Sequence, residues 1–179
     1  MRPRYPVAAL MLCGFLAVVL AIAFLNNRYS PVSVVAGEDS VGTWASGMLL
    51  VVSATISLTR GFRLPWPAIA LFFLVLALDE RFMFHESLKA RLIMQYKLDP
   101  LHPGLVAELP VMVGAIVGAI VSLILWRRFQ KTGKILIAIA VIFGLSSVVI
   151  DVFSFGVFWE DIFKLIAELA VACAFLSEV

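Results

Sequence analysis

Five uncharged, largely apolar runs punctuate the chain, at residues 5–27, 41–59, 64–78, 109–126 and 135–150, and short charged clusters separate them. A helix crosses the hydrocarbon core of a bilayer with roughly 20 apolar residues, within a range of about 17 to 25. The first, second and fourth runs meet that length unaided. The third reaches it by continuing through Asp79 toward Glu86, and the fifth by running through Asp151. A last segment, 160–178, is long enough but carries Lys164 and Glu168. None of the runs alternates polar and apolar residues as the strands of a membrane barrel do. Only helices satisfy every backbone polar group within one segment in lipid. The pattern therefore predicts an all-α integral membrane bundle of six transmembrane helices. They are expected over 6–26, 42–59, 66–90, 107–126, 134–154 and 160–178, in a single domain over 1–179. The first run exceeds the roughly 7–15 residues of a signal-peptide core, which predicts an uncleaved anchor.

Charge then orients the bundle. Arg2 and Arg4, Arg60 and Arg63, and Arg127, Arg128, Lys131 and Lys134 occupy alternate connections that hold no acidic residue. Positive residues mark the cytoplasmic side, so both termini are expected there. Of the 12 acidic residues, all but Glu178 fall on the opposite side. The expected location is the bacterial inner membrane with an acidic periplasmic face. The formal net charge of +2 hides this split, and no basic patch with interleaved aromatics points to nucleic acid. A composition 63% hydrophobic, with mean hydropathy +1.05, excludes an ordinary soluble domain. Cys13 and Cys173 lie in expected membrane helices without a C-x-x-C setting, which predicts buried, inert thiols.

The chemistry-bearing residues crowd the expected external half. An ionisable group at the bilayer centre costs about 2.5–3.5 kcal/mol on insertion scales, so such groups face protein or water and mark function. Asp79, Asp151 and Glu168 are the deepest acids, brought to similar depth by three helices. Carboxylates with imidazole form the ligand set of zinc, iron or manganese. The candidate ligands for a divalent metal are Asp79, Glu86, Asp151 and Glu168, with Glu80 and His85 in support. On one continuous helix Asp79, Met83 and Glu86 share a face and His85 points about 100° away from Glu86. His102 is placed to fold over the site from its loop. The competing reading is internal ion pairing, with Lys164 spaced i,i+4 from both Glu160 and Glu168. Gly114 and Gly118 on the fourth span have the spacing that lets another helix approach closely. No Glu-x-x-His, H-E-x-x-H, serine-elbow or phosphate-loop motif is present.

The stretch "LALDERFMFHE" resembles a group of uncharacterised bacterial integral membrane proteins with a Leu-Asp-Glu, four residues, then His-Glu pattern at a helix end. The match falls on Asp79, Glu80, His85 and Glu86, and implies a purpose for these positions without naming it. Alkaline ceramidase-like and progestin-receptor-like membrane hydrolases use a Ser, an Asp and three zinc-binding histidines. This chain has two histidines and no His-x-x-x-His in its last helix.

The function expected from these residues is an acidic, externally open site that binds a divalent cation or protons. Metal-dependent hydrolysis or oxidoreduction is its enzymatic extension. The alternative is a non-catalytic accessory subunit of a respiratory or photosynthetic membrane complex. Expected partners are the lipid bilayer, other membrane subunits or a second copy of the chain. A small transporter is the third reading, disfavoured because no deep charge lies in the cytoplasmic half.

Overall fold

The computed structural model describes residues 10, 13, 14, 17, 18, 21, 25, 40–98, 104–153 and 156–178. Every regular element among them is helical. These are α1 (Val41–Thr59), α2 (Trp66–Phe82), α3 (Phe84–Tyr96), the single turn α4 (Gly104–Ala107), α5 (Leu109–Arg128), α6 (Lys131–Phe153) and α7 (Val157–Leu176). Two thirds of the expected span 6–26 lies outside the described residues, and His102 lies outside them as well.

Three described helices, α1, α5 and α6, are long and apolar enough to cross a membrane, rather than the six expected. The shortfall has local causes. α2 ends after 17 residues, and α7 carries Glu160, Asp161, Lys164 and Glu168 within its 20. Of these charges Lys164 pairs across to Glu80 on α2 and with Asp161 on its own helix.

The expected helix over 66–90 is broken. Met83 adopts a left-handed conformation (φ 52°, ψ 45°) and closes α2, its amide donating to the Asp79 carbonyl at 2.7 Å. Left-handed backbone is costly for a residue with a side chain and interrupts a helix wherever it occurs. The chain restarts as α3, a polar helix with no buried residues that is not among the helices long and apolar enough to cross a membrane. The other ends depart from expectation by only a few residues.

α1 buries Ala45, Ser46, Leu49, Leu50, Ser53, Ala54 and Ser57 along one side. This mostly small-residue stripe lets α2 and α7 pack closely on it. Two of its buried hydroxyls are satisfied locally, Ser53 Oγ donating to the Leu49 carbonyl and Ser57 Oγ to the Ser53 carbonyl, while Ser46 lies beside Glu168 on α7. α7 and α6 form the most extensive pair, in the antiparallel hairpin expected from the tight connection between them, and α5 packs on α6. The helices thus follow one another around the bundle as α2, α1, α7, α6, α5. No extended packed seam joins α2 to α5 among the described residues.

One end of the bundle is aromatic and basic. Phe175, fully buried, meets Phe73 and Phe129 edge-on at centroid distances of 5.8 and 5.3 Å. The Arg60 guanidinium lies over Trp66, Phe129 and Phe175 at 5.0, 5.2 and 5.9 Å. The rings present their negative faces to the cation. Glu178 closes this end by accepting the Gln130 amide at 2.6 Å, just before α6 begins.

Candidate functional site

The opposite end opens into a cavity of about 340 Å³ between α2, α5, α6 and α7. Its rim carries Asp79 and Glu80 from α2, His85 from α3, Asp151 from α6, and Glu160, Lys164 and Glu168 from α7. Five of the six expected ligand candidates therefore meet in one space. Glu86 does not: it is exposed on α3 and absent from the lining. The shared face of Asp79 and Glu86 required a continuous helix, and the reversal at Met83 removes it.

The same reversal corrects the reading of His85. It carries the ring back over the end of α2, where His85 Nδ1 lies 2.7 Å from Asp79 Oδ2. The His85 backbone amide donates to Asp79 Oδ1 at 2.8 Å. Asp79 thus holds both the imidazole and a free amide in the first turn of α3, a group that no intrahelical carbonyl can satisfy. The hydrogen bond to Asp79 raises the imidazole pKa above its ordinary 6.5, against the lowering effect of burial.

Two lysines distribute the remaining charge. Lys164 Nζ is 3.0 Å from Glu80 Oε1 and 3.0 Å from Asp161 Oδ1, joining α7 to α2. The local i,i+4 pairs expected with Glu160 and Glu168 are not made. Lys89 Nζ on α3 reaches Glu108 Oε1 at 2.5 Å and Asp151 Oδ1 at 4.0 Å. Burial lowers the Lys89 pKa, but Glu108, Asp151 and Glu86 outweigh it and the net shift is upward. These cross-helix pairs escape sequence reasoning because their partners are 84 and 19 residues apart in sequence for Lys164–Glu80 and Lys89–Glu108. The presence of lysines among the acids was the available signal.

Acid remains in excess. Glu160 and Glu168 have no ion pair among the described residues. Glu168 Oε2 and Ser46 Oγ are both shielded from solvent, and the Ser46 hydroxyl beside the Glu168 carboxyl is the only hydrogen-bonding group that either of these atoms meets among the described residues. A buried carboxyl oxygen in this state is costly unless it is protonated or meets a cation. Among the described residues, no three His, Cys, Asp or Glu side chains converge closely enough to hold a metal ion.

Gly114 and Gly118 line the cavity wall on α5. A Cβ at Gly114 would meet nothing within 4 Å, and one at Gly118 would meet only the Phe72 ring edge at 3.7 Å. Both glycines face the cavity. Of the thiols, Cys173 is buried as expected, whereas Cys13 is exposed.

No curated protein and no solved structure matches this chain. Residues 5–179 match a family model described as a domain of unknown function, DUF8692, and the chain belongs to that family.

Proposed function

We propose that this membrane protein binds a positively charged ligand in its acidic cavity, with protons as the competing species. The observation that carries the reading is the charge imbalance of the lining. Asp79, Glu80, Asp151, Glu160 and Glu168 face Lys164 and His85, with Lys89 4.0 Å from Asp151, and Glu160 and Glu168 have no ion pair among the described residues. Low-dielectric walls strengthen the attraction of such a lining for a cation. A divalent metal is one such ligand. A metal-dependent hydrolase or oxidoreductase calls for several side chains converging on one ion, and the described residues do not supply that geometry.

The test is thermal unfolding of the purified protein in non-ionic detergent with Zn²⁺, Mn²⁺, Mg²⁺ and organic ammonium ions. At least one cation should raise the midpoint, more at about pH 8 than at about pH 6, because protons compete for the same carboxylates. The gain should be lost in Glu168→Gln. Indifference to every cation at both pH values refutes the reading.

We further place the chain in the bacterial inner membrane with the cavity mouth toward the periplasm. Arg60, Arg63, Arg127, Arg128, Lys131 and Lys134 lie at or next to the helix ends opposite the mouth, which supports this orientation. Reporter fusions after Gly61 and after Lys97 should report opposite sides of the membrane.

A further inference from the structure

The end opposite the cavity is as one-sided in charge as the cavity, with the other sign. Arg60, Arg63, Arg127, Arg128, Lys131 and Lys134 gather there, and none of them makes an ion pair among the described residues. Glu178 is the acid of this end, and its Oε1 already accepts the Gln130 amide at 2.6 Å. A basic face in contact with water needs no ligand, and Arg63, Arg127 and Lys131 are exposed. Arg60 differs from them. Its guanidinium is pinned against Trp66, Phe129 and Phe175, and Nε and Nη2 are shielded from solvent without a hydrogen-bond acceptor.

The rings favour the cation but do not neutralise it, and they leave its N–H groups without the acceptors that a shielded charge calls for. Glu178 is the one carboxylate whose field reaches Arg60 among the described residues, and the two make no ion pair. Arg128, on α5, lies over the same Trp66 ring at 5.5 Å and is exposed. One indole thus carries two guanidiniums from different helices, with no anion to offset them. Arg60 is itself partly exposed, and Nη1 is not among its shielded nitrogens. An incoming anion therefore meets a guanidinium whose orientation is already set, which lowers the ordering cost of binding. The planar fork of donors matches a phosphate.

The connection from α1 to α2 decides where that phosphate comes from. Phe62 and Leu64 are 86% and 80% exposed on either side of Arg63, and Trp126 is exposed just before Arg127. Apolar side chains this bare beside arginines suit the interfacial layer of a bilayer rather than water. A soluble phosphate has no use for them. A zwitterionic lipid would bring a second cation to an end already in positive excess. We infer that this end holds the phosphate of an anionic phospholipid at Arg60 and Arg128, around Trp66, with the acyl chains beside Phe62 and Leu64. Basic pockets between membrane helices are suited to such headgroups. The site stands independently of the cation reading of the opposite end.

The test uses the full-length protein in non-ionic detergent and native mass spectrometry, with phosphatidylglycerol, phosphatidylcholine and inorganic phosphate as probes. Phosphatidylglycerol should be retained about tenfold more strongly than phosphatidylcholine, and excess inorganic phosphate should not displace it. Arg60→Gln should weaken retention about tenfold, a loss equivalent to roughly 1.4 kcal/mol, against less than about twofold for the exposed Arg63→Gln. Arg60→Gln also removes packing against three rings, so circular dichroism and the thermal midpoint check its fold. Glu178→Gln leaves the rings untouched, keeps an oxygen for the Gln130 amide and removes the competing charge. It should strengthen retention about threefold. Equal retention of the two lipids overturns the inference. So does an effect of Arg63→Gln equal to that of Arg60→Gln, the mark of a diffuse basic face, or no gain in Glu178→Gln. Displacement by inorganic phosphate overturns the assignment to lipid.

Discussion

Asp79 holds His85 with both of its carboxylate oxygens, one on the ring nitrogen at 2.7 Å and the other on the backbone amide at 2.8 Å. The pair fastens a polar helix to the end of an apolar one, across the left-handed residue that separates them. It also brings an imidazole to the rim of an acid-lined cavity.

The pair should give stability a measurable pH dependence. Because the hydrogen bond to Asp79 raises the His85 pKa above 6.5, its contribution is complete below that unfolded value. The contribution is lost as pH rises through the folded value. Glu86 and Lys164 also face the ring, with opposite effects. The wild-type unfolding midpoint should therefore fall as pH rises above the ordinary imidazole value of 6.5, and His85→Gln should flatten that part of the profile. A difference profile between wild type and variant isolates it from the other cavity acids. Identical slopes would refute the assignment.

Removing Lys164 strands the carboxylates it joins. With about a third of its side chain accessible in the cavity, Lys164→Met should cost about 2 kcal/mol, below the 3–5 kcal/mol of a fully buried pair. Adding Glu80→Gln to the same chain should recover part of the loss. A double-mutant cycle measured by chemical denaturation reads the coupling directly.

Met83 tests the helix break. Met83→Gly, which removes the left-handed penalty, should stabilise by about 1 kcal/mol, whereas β-branched Met83→Val should destabilise. If both leave the midpoint unchanged, the left-handed turn is not what sets the path from α2 to α3.

At the basic end, Gly133 has no room to spare. A Cβ there would sit 2.6 Å from Glu178 Oε1 and 2.9 Å from Phe129 Cδ2. Gly133→Ala should destabilise by about 1–3 kcal/mol through overpacking. Glu178→Ala in the same chain should relieve part of it, at the expense of the Gln130 amide bond. Thermal midpoints of the two single variants and the double variant decide this.

Helix existence was legible residue by residue. Each apolar run commits its own backbone to internal hydrogen bonding, and α1, α5 and α6 begin and end within a few positions of their runs. The convergence of Asp79, Asp151 and Glu168 was legible too, because depth along a helix follows from counting residues. His85 was misjudged for a specific reason: its position depends on Met83, and methionine is a good helix former that gives no sign of a left-handed turn.

By itself, then, the sequence determined that the chain is helical, that several of its segments suit a membrane, and that its acids gather at one end. Those properties are sums over neighbouring residues, and hydropathy and charge count add along the chain. Only the tertiary structure decided which acids are compensated, that Glu86 stays outside the cavity while His85 enters it, and that Gly114 and Gly118 face open space. Those outcomes depend on one backbone reversal and on ion pairs between distant helices. Neither leaves a local mark, because each is set by which surfaces the packed bundle brings together.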